Sequence, residues 1–104
     1  MQRFRAERNG KAVDIYIEPW PNGITSIGGI ALNKPDHYII SVNENAPDPN
    51  RSLGHELAHV FLGHLDDGQD KTIAEMEREA DREARRYFNM WESGLLGRIQ
   101  DCSV

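Results

Sequence analysis

Residues 48–64, "DPNRSLGHELAHVFLGH", decide how this chain divides. Asp48 before Pro49 reads as an N-cap followed by proline in the first helical position. Leu53, Leu57, Ala58, Val60, Phe61 and Leu62 then cover most of a helical circumference. The spacing predicts a helix over about 49–64, buried on several sides. Upstream, the sequence alternates as strands do; downstream, it returns to helical periodicity. That segregation predicts an α+β fold. A small N-terminal sheet of about three to four strands, antiparallel or mixed, would pack on two helices.

The upstream half supports this division. "RFRAER-NG-KAVDIYIE" alternates on both sides of Asn9-Gly10, a strong two-residue hairpin signal. In that register Phe4 faces Ile15, Ala6 faces Val13, and Arg5 faces Asp14. One face is then apolar and the other carries a cross-strand ion pair. "ITSIGGIAL", with Gly28-Gly29 inside it, is a weaker strand. "HYIISVN", residues 37–43, is a firmer one. "NENAPDPN" is a loop.

Beyond the helix, "DDGQD" breaks the chain. Thr72 and Glu75 fit the capping-box pattern that opens a second helix, over about 72–92, with Gly94 as its stop. Arginines at 78, 82, 85 and 86 interleave with Glu75, Glu79, Asp81 and Glu83, as on a solvated helix face. The tail, "LLGRIQDCSV", would form a short helix or stay loose. We expect a single domain over residues 1–104, its strands within about 2–43.

Composition narrows the function classes. The chain has 104 residues, 38% hydrophobic and 28% charged, enough for one modest core. Its net charge of −5 argues against a nucleic-acid surface. No apolar run approaches the roughly 20 residues that span a bilayer. The start, "MQRFRAERNG", lacks the apolar core of a signal peptide. The sole cysteine, Cys102, permits no intrachain disulfide. These features point to a reducing, cytoplasmic setting and to no membrane partner.

The chemistry lies in His55, Glu56 and His59, spaced H-E-x-x-H. Positions i and i+4 of a helix lie about 40° apart, so both imidazoles can reach one zinc ion. Glu56 sits beside them, able to hold a water on the metal and take its proton. The alternative is that these are ordinary surface or hydrogen-bonded core residues. His64 lies about 180° from His55 on a continuous helix, so it would point away from the metal. It reads as a helix-end residue favouring the C-terminal dipole. On the second helix, Ile73, Ala80, Ala84, Phe88 and Trp91 fall within about 60° of Glu77. A carboxylate centred on an apolar stripe needs a strong partner, and a zinc ion would serve. An arginine, Arg51 or Arg82, is the alternative partner. Glu75 has a capping role, and Glu79 points away. Asp81, one turn past Glu77, could orient a ligating histidine through its other ring nitrogen.

"HELAH" followed by a helix bearing "EREAD" resembles the gluzincin peptidases, in which the glutamate ligand precedes an aspartate or asparagine by four positions. Glu77 and Asp81 fit that relation. More narrowly, "HYIISVNENAPDPNRSLGHELAHVFLGH" resembles the ImmA/IrrE metallo-endopeptidases, over about residues 26–90. The resemblance implies an α+β zinc endopeptidase whose members typically cleave a transcriptional repressor. It also implies that a substrate pairs with an edge strand, here "SIGGIA". Gly28 and Gly29 would allow the close approach of another backbone, or form a simple turn.

The expected function is peptide-bond hydrolysis on a protein or peptide substrate, a repressor or another regulatory protein. His55, His59 and Glu77 would hold Zn2+, Glu56 would act as general base, and Asp81 would support a ligand. Tyr87, His37 and Arg51 are candidates for the second oxyanion donor. The competing class is a catalytically silent, zinc-stabilised module that sequesters a regulator.

Overall fold

A computed structural model describes residues 1–21 and 27–101. Five strands form one mixed sheet: β1 (Gln2–Arg8), β2 (Lys11–Glu18), β3 (Gly29–Asn33), β4 (His37–Asn43) and β5 (Ile99–Asp101). Two helices, α1 (Pro49–Phe61) and α2 (Ile73–Glu92), lie between β4 and β5 in the chain. The spatial order of the strands is β3-β4-β2-β1-β5. This is the α+β arrangement expected from the sequence.

The β1–β2 hairpin has the expected register: Phe4 pairs with Ile15, Arg5 with Asp14, and Ala6 with Val13. Asn9 and Gly10 both take positive φ, 52° and 82°, as a tight hairpin turn of this kind requires. Arg5 and Asp14 form the ion pair on the outer face at 2.9 Å. The inner face buries Phe4, Ala6, Val13, Ile15, Tyr38, Ile40 and Val42. Period-2 alternation puts all seven on one side, against Leu53, Leu57 and Val60 of α1. From α2, Trp91 reaches the same core and meets the ring of Phe4 edge-on at 5.2 Å.

The sheet is mixed because β2 and β4 run parallel while the other pairs are antiparallel. The chain crosses from β2 to the far edge, makes β3, and returns antiparallel as β4 between β3 and β2. Asn43, fully buried, ties this crossing together. Its side chain accepts from the Trp20 and Asn45 backbone N–H groups and donates to the Ile27 carbonyl. The Ile24–Ser26 part of the expected "ITSIGGIAL" strand lies outside the described residues, as does Cys102.

The structure corrects two expectations. The tail is neither helical nor loose: Ile99–Asp101 adds a fifth strand against β1. β1 would otherwise present an unpaired edge, and pairing satisfies its backbone groups. Gly97, at φ 75°, turns the chain into position. The first helix also ends at Phe61, not at 64. Gly63 takes φ 78°. The Gly63 N–H bonds the Val60 carbonyl at 3.2 Å and the His64 N–H bonds the His59 carbonyl at 3.0 Å. These are the two bonds of a Schellman motif, and they turn the chain back on itself.

Both helix starts follow the sequence. The Asp48 carboxylate accepts from the Arg51 N–H at 3.1 Å, with Pro49 in the first turn. The Thr72–Glu75 capping box is complete, each residue bonding the other at 3.1 Å. The charged face of α2 pairs internally, Arg82 with Glu79 and Arg86 with Glu83. Among the described residues, no helix is long and apolar enough to cross a membrane.

The two helices meet at Gly54. A Cβ built there would lie 2.1 Å from the Ala84 carbonyl oxygen. Backbone cannot swing aside, so only hydrogen fits. Alanine would gain about 1 kcal/mol of helix propensity. Overpacking of this kind costs about 1–3 kcal/mol, and here more, since the obstacle is main chain. Gly54→Ala should therefore lower the urea midpoint, with a net loss of about 2 kcal/mol or more. A midpoint that rises would show that the helices do not hold this contact.

Candidate metal and catalytic site

Helix α1 carries His55, Glu56 and His59 toward a cleft of about 620 Å³. β3 forms one wall, with Gly29, Ile30 and Ala31; the start of α2 forms the other, with Ile73, Met76 and Glu77. Side chains on the two glycines of this wall would crowd α1 and its side chains. A Cβ on Gly28 would lie 2.0 Å from Ser52 Oγ, and one on Gly29 3.0 Å from Glu56 Cγ. The two glycines thus accommodate the protein's own helix before any other chain.

Three side chains converge. His55 Nε2 lies 3.0 Å from His59 Nε2 and 3.0 Å from Glu77 Oε2, and His59 Nε2 lies 3.1 Å from Glu77 Oε1. His55, His59 and Glu77 form a group that could hold a metal ion. Donors about 2.0–2.1 Å from a tetrahedral ion stand roughly 3.3 Å apart, close to these separations. The donor chemistry fits as well. His55 Nδ1 lies 3.1 Å from Asp81 Oδ1. A proton there leaves a lone pair on the neutral ring's Nε2, aimed at a carboxylate and a second imidazole. Such a convergence is repulsive unless a proton or a cation sits at its centre.

Glu77 is not centred in the core, as its helical angle suggested. The stripe is buried from Ala80 onward, whereas Ile73 is 76% exposed and the Glu77 side chain 55%. The first turns of α2 overhang the cleft, so Glu77 faces the histidines rather than the core. Among the described residues neither arginine proposed as its partner pairs with it. Arg51 approaches Asp81 at 3.4 Å, and Arg82 pairs with Glu79 and Glu83.

Glu56 takes no part in the triad. It is 8% exposed, and burial pushes its carboxyl up to about 7, with Glu77 adding to the rise and His55 opposing it. Burial also lowers His59 below the ordinary histidine value. Lys71, bonded at 2.8 Å, and then His64 hold Glu79 down to about 2.

His64 is placed differently from expectation. Because the helix ends early, Gly63 folds His64 back beneath His59 instead of leaving it on the opposite face. His64 Nδ1 lies 3.0 Å from His59 Nδ1, and His64 Nε2 lies 2.5 Å from Glu79 Oε1. Glu79 points away from the cleft, yet it is tied to the site through this ring. The signal for the turn was Gly63 itself. Of the three oxyanion candidates, Arg51 lines the cleft. Tyr87 stacks on Phe61 at 6.1 Å in the core, and His37 bonds Asp36 at 2.5 Å.

Residues 11–97 match the family described as the IrrE N-terminal-like domain, a peptidase family. No curated protein and no solved structure matches the chain closely enough to add to this.

The raised Glu56 group has a consequence for stability. The folded chain holds that proton to about pH 7, whereas an unfolded glutamate releases it near 4.5. Between those values the folded state binds more protons, so stability falls as pH rises. With chelator present, wild type should lose about 1–3 kcal/mol relative to Glu56→Gln between pH 5 and pH 8. The His59 contribution has the opposite sign but is common to both proteins. Urea titrations across that range check this, and parallel pH profiles would refute it.

Proposed function

The chain belongs to the IrrE N-terminal-like domain family of peptidases, and from that premise we propose that it is a zinc-dependent endopeptidase. His55, His59 and Glu77 would hold the ion. When bound, zinc supplies Lewis acidity, polarising a peptide carbonyl and making water more acidic. Glu56 is the general base. It takes a proton from the attacking water as oxygen joins the carbonyl carbon, and delivers a proton to the amine as the carbon–nitrogen bond breaks. Its enclosed position beside the triad, on the same cleft, suits both transfers. Asp81 orients His55 through its Nδ1.

The observation that carries this reading is the open triad with a carboxylate beside it. Structural zinc sites are closed by four protein ligands, whereas catalytic ones keep a position free. Here three donors converge at a cleft that Glu56 also lines. β3 is an outer strand of the sheet beside that cleft, so an extended peptide could add to it through backbone hydrogen bonds. Ile27, Ile30, Ile73 and Met76 would meet apolar side chains of the substrate. The ImmA/IrrE resemblance makes a transcriptional repressor, or another regulatory protein, the substrate class, and a cytoplasmic setting agrees with it. A zinc-stabilised module that binds a regulator without cutting it is the second reading. It gives no role to a buried, non-ligating Glu56.

Purified wild type should contain zinc at one ion per chain by elemental analysis, and His59→Ala should lose it. Glu56→Gln should keep both zinc and fold while cleavage of candidate repressors falls on the order of 10²–10⁴-fold. Zinc-loaded Glu56→Gln cutting at the wild-type rate would refute the assignment of the base. Zinc-loaded wild type that binds a repressor without cutting it would favour the module.

A further inference from the structure

His59 does not end at the cleft. Behind it runs a line of side chains through His64 and Glu79 to Lys71, with separations of 3.0, 2.5 and 2.8 Å. The middle ring is enclosed, its side chain 2% exposed. The turn that carries it is pinned on several sides. Asp66 accepts from Arg8 at 2.6 Å and from the Tyr38 hydroxyl at 2.7 Å. The Leu65 carbonyl accepts from Asn33 at 3.1 Å. Gln69 donates to the Gly63 carbonyl. A buried imidazole held this firmly is more than a helix-end charge.

Metal binding at His59 selects one pattern of protons along this line. Glu79, ionised, can only accept, so His64 Nε2 carries a proton and donates it. Of its two ring nitrogens only Nδ1 is then left to accept. That atom lies opposite His59 Nδ1, and two ring nitrogens at this distance share one proton. With the shared proton on His59 Nδ1, His59 Nε2 is left as a lone pair facing His55 and Glu77, the form that a metal ligand requires. His55 reaches the same state by a shorter route, through Asp81.

We propose that His64 and Glu79 are positioning residues, a two-residue relay that fixes the tautomer and ring orientation of His59 for metal binding. The relay supplies through a second imidazole what ligating histidines usually obtain from a carboxylate, carbonyl or water directly. It rests on the reading of His55, His59 and Glu77 as a metal site. The sequence places the device in "FLGH": Gly63 makes the turn and His64 uses it.

Side-chain chemistry provides the test. Glutamine at 64 can accept from His59 Nδ1 and donate to Glu79 at once; leucine can do neither. His64→Leu should weaken zinc binding about 10–100-fold in competition with a chromophoric chelator. His64→Gln should recover most of that loss, and Glu79→Ala should weaken binding in the same direction. If His64→Leu does not fold, as judged by circular dichroism, the glutamine and Glu79→Ala variants carry the comparison. Nitrogen-15 correlation spectra of histidine rings give a second readout on wild type without zinc. They should place the His59 proton on Nδ1, protected from exchange, and His64→Gln should retain it there. Wild-type zinc affinity in both His64→Leu and Glu79→Ala would overturn the proposal. So would a His59 proton found on Nε2 in zinc-free wild type. Wild type that takes up no zinc but keeps the protected Nδ1 proton would overturn the metal reading while sustaining the hydrogen-bonded relay.

Discussion

The contact between Gly54 and the Ala84 carbonyl sets the spacing of the two helices. A hydrogen in place of a methyl group lets main chain meet main chain. His55 and His59 project from α1, Glu77 and Asp81 from α2, and their functional atoms come within 3.0 to 3.1 Å of one another across that seam. A helix pair held even one methyl radius farther apart would separate the carboxylates from the imidazoles. Gly28 and Gly29 perform the same service on the other side, letting β3 close on Ser52 and Glu56. The site is therefore a product of two close approaches to one helix, and glycine makes both possible.

Burial of α1 then dictates the electrostatics. A helix that fills the space between a sheet and another helix has little room for ionisable groups. Besides the exposed Arg51 it carries three, and each has an identifiable accommodation. His55 and His59 find partners on both ring nitrogens. Among the described residues no cation bonds Glu56, and burial holds its proton to about pH 7. Desolvation thus gives two carboxylates of one cleft different character. Glu77, half exposed, is open to a ligand, while Glu56, enclosed beside it, is driven toward its protonated form.

Much of this was legible in the sequence because it is local. Asn9-Gly10 fixes a hairpin and hence a register. Asp48-Pro49 and the Thr72–Glu75 box fix two helix starts. Helical angles alone bring His55 and His59 together and single out Glu77 from its neighbours. What escaped was set by contacts distant in sequence. The pairing of Ile99–Asp101 with β1 depends on an edge 90-odd residues away. The overhang of α2 depends on where α1 stops supporting it, which no property of Glu77 reveals. Gly54 looks like a mild defect in a helix until the carbonyl of Ala84 lies against it.

His64 shows how one local error propagates. Extending α1 by a single turn sends its ring about 180° from His55, out of the site. Ending the helix at Phe61, with Gly63 in the left-handed region, sends the same ring under His59. The sequence already held the means to choose, since glycine after a run of apolar helix residues is the common C′ signal. The choice matters beyond geometry. On an extended helix, His64 and Glu79 would be two unrelated surface charges. On the observed turn they are joined, and the chain from Lys71 to His59 becomes a continuous hydrogen-bonded path. Three histidines in eleven residues are then neither three ligands nor two ligands and a bystander. They are two rings facing the cleft and a third, held from behind by a carboxylate, that governs which nitrogen one of them presents.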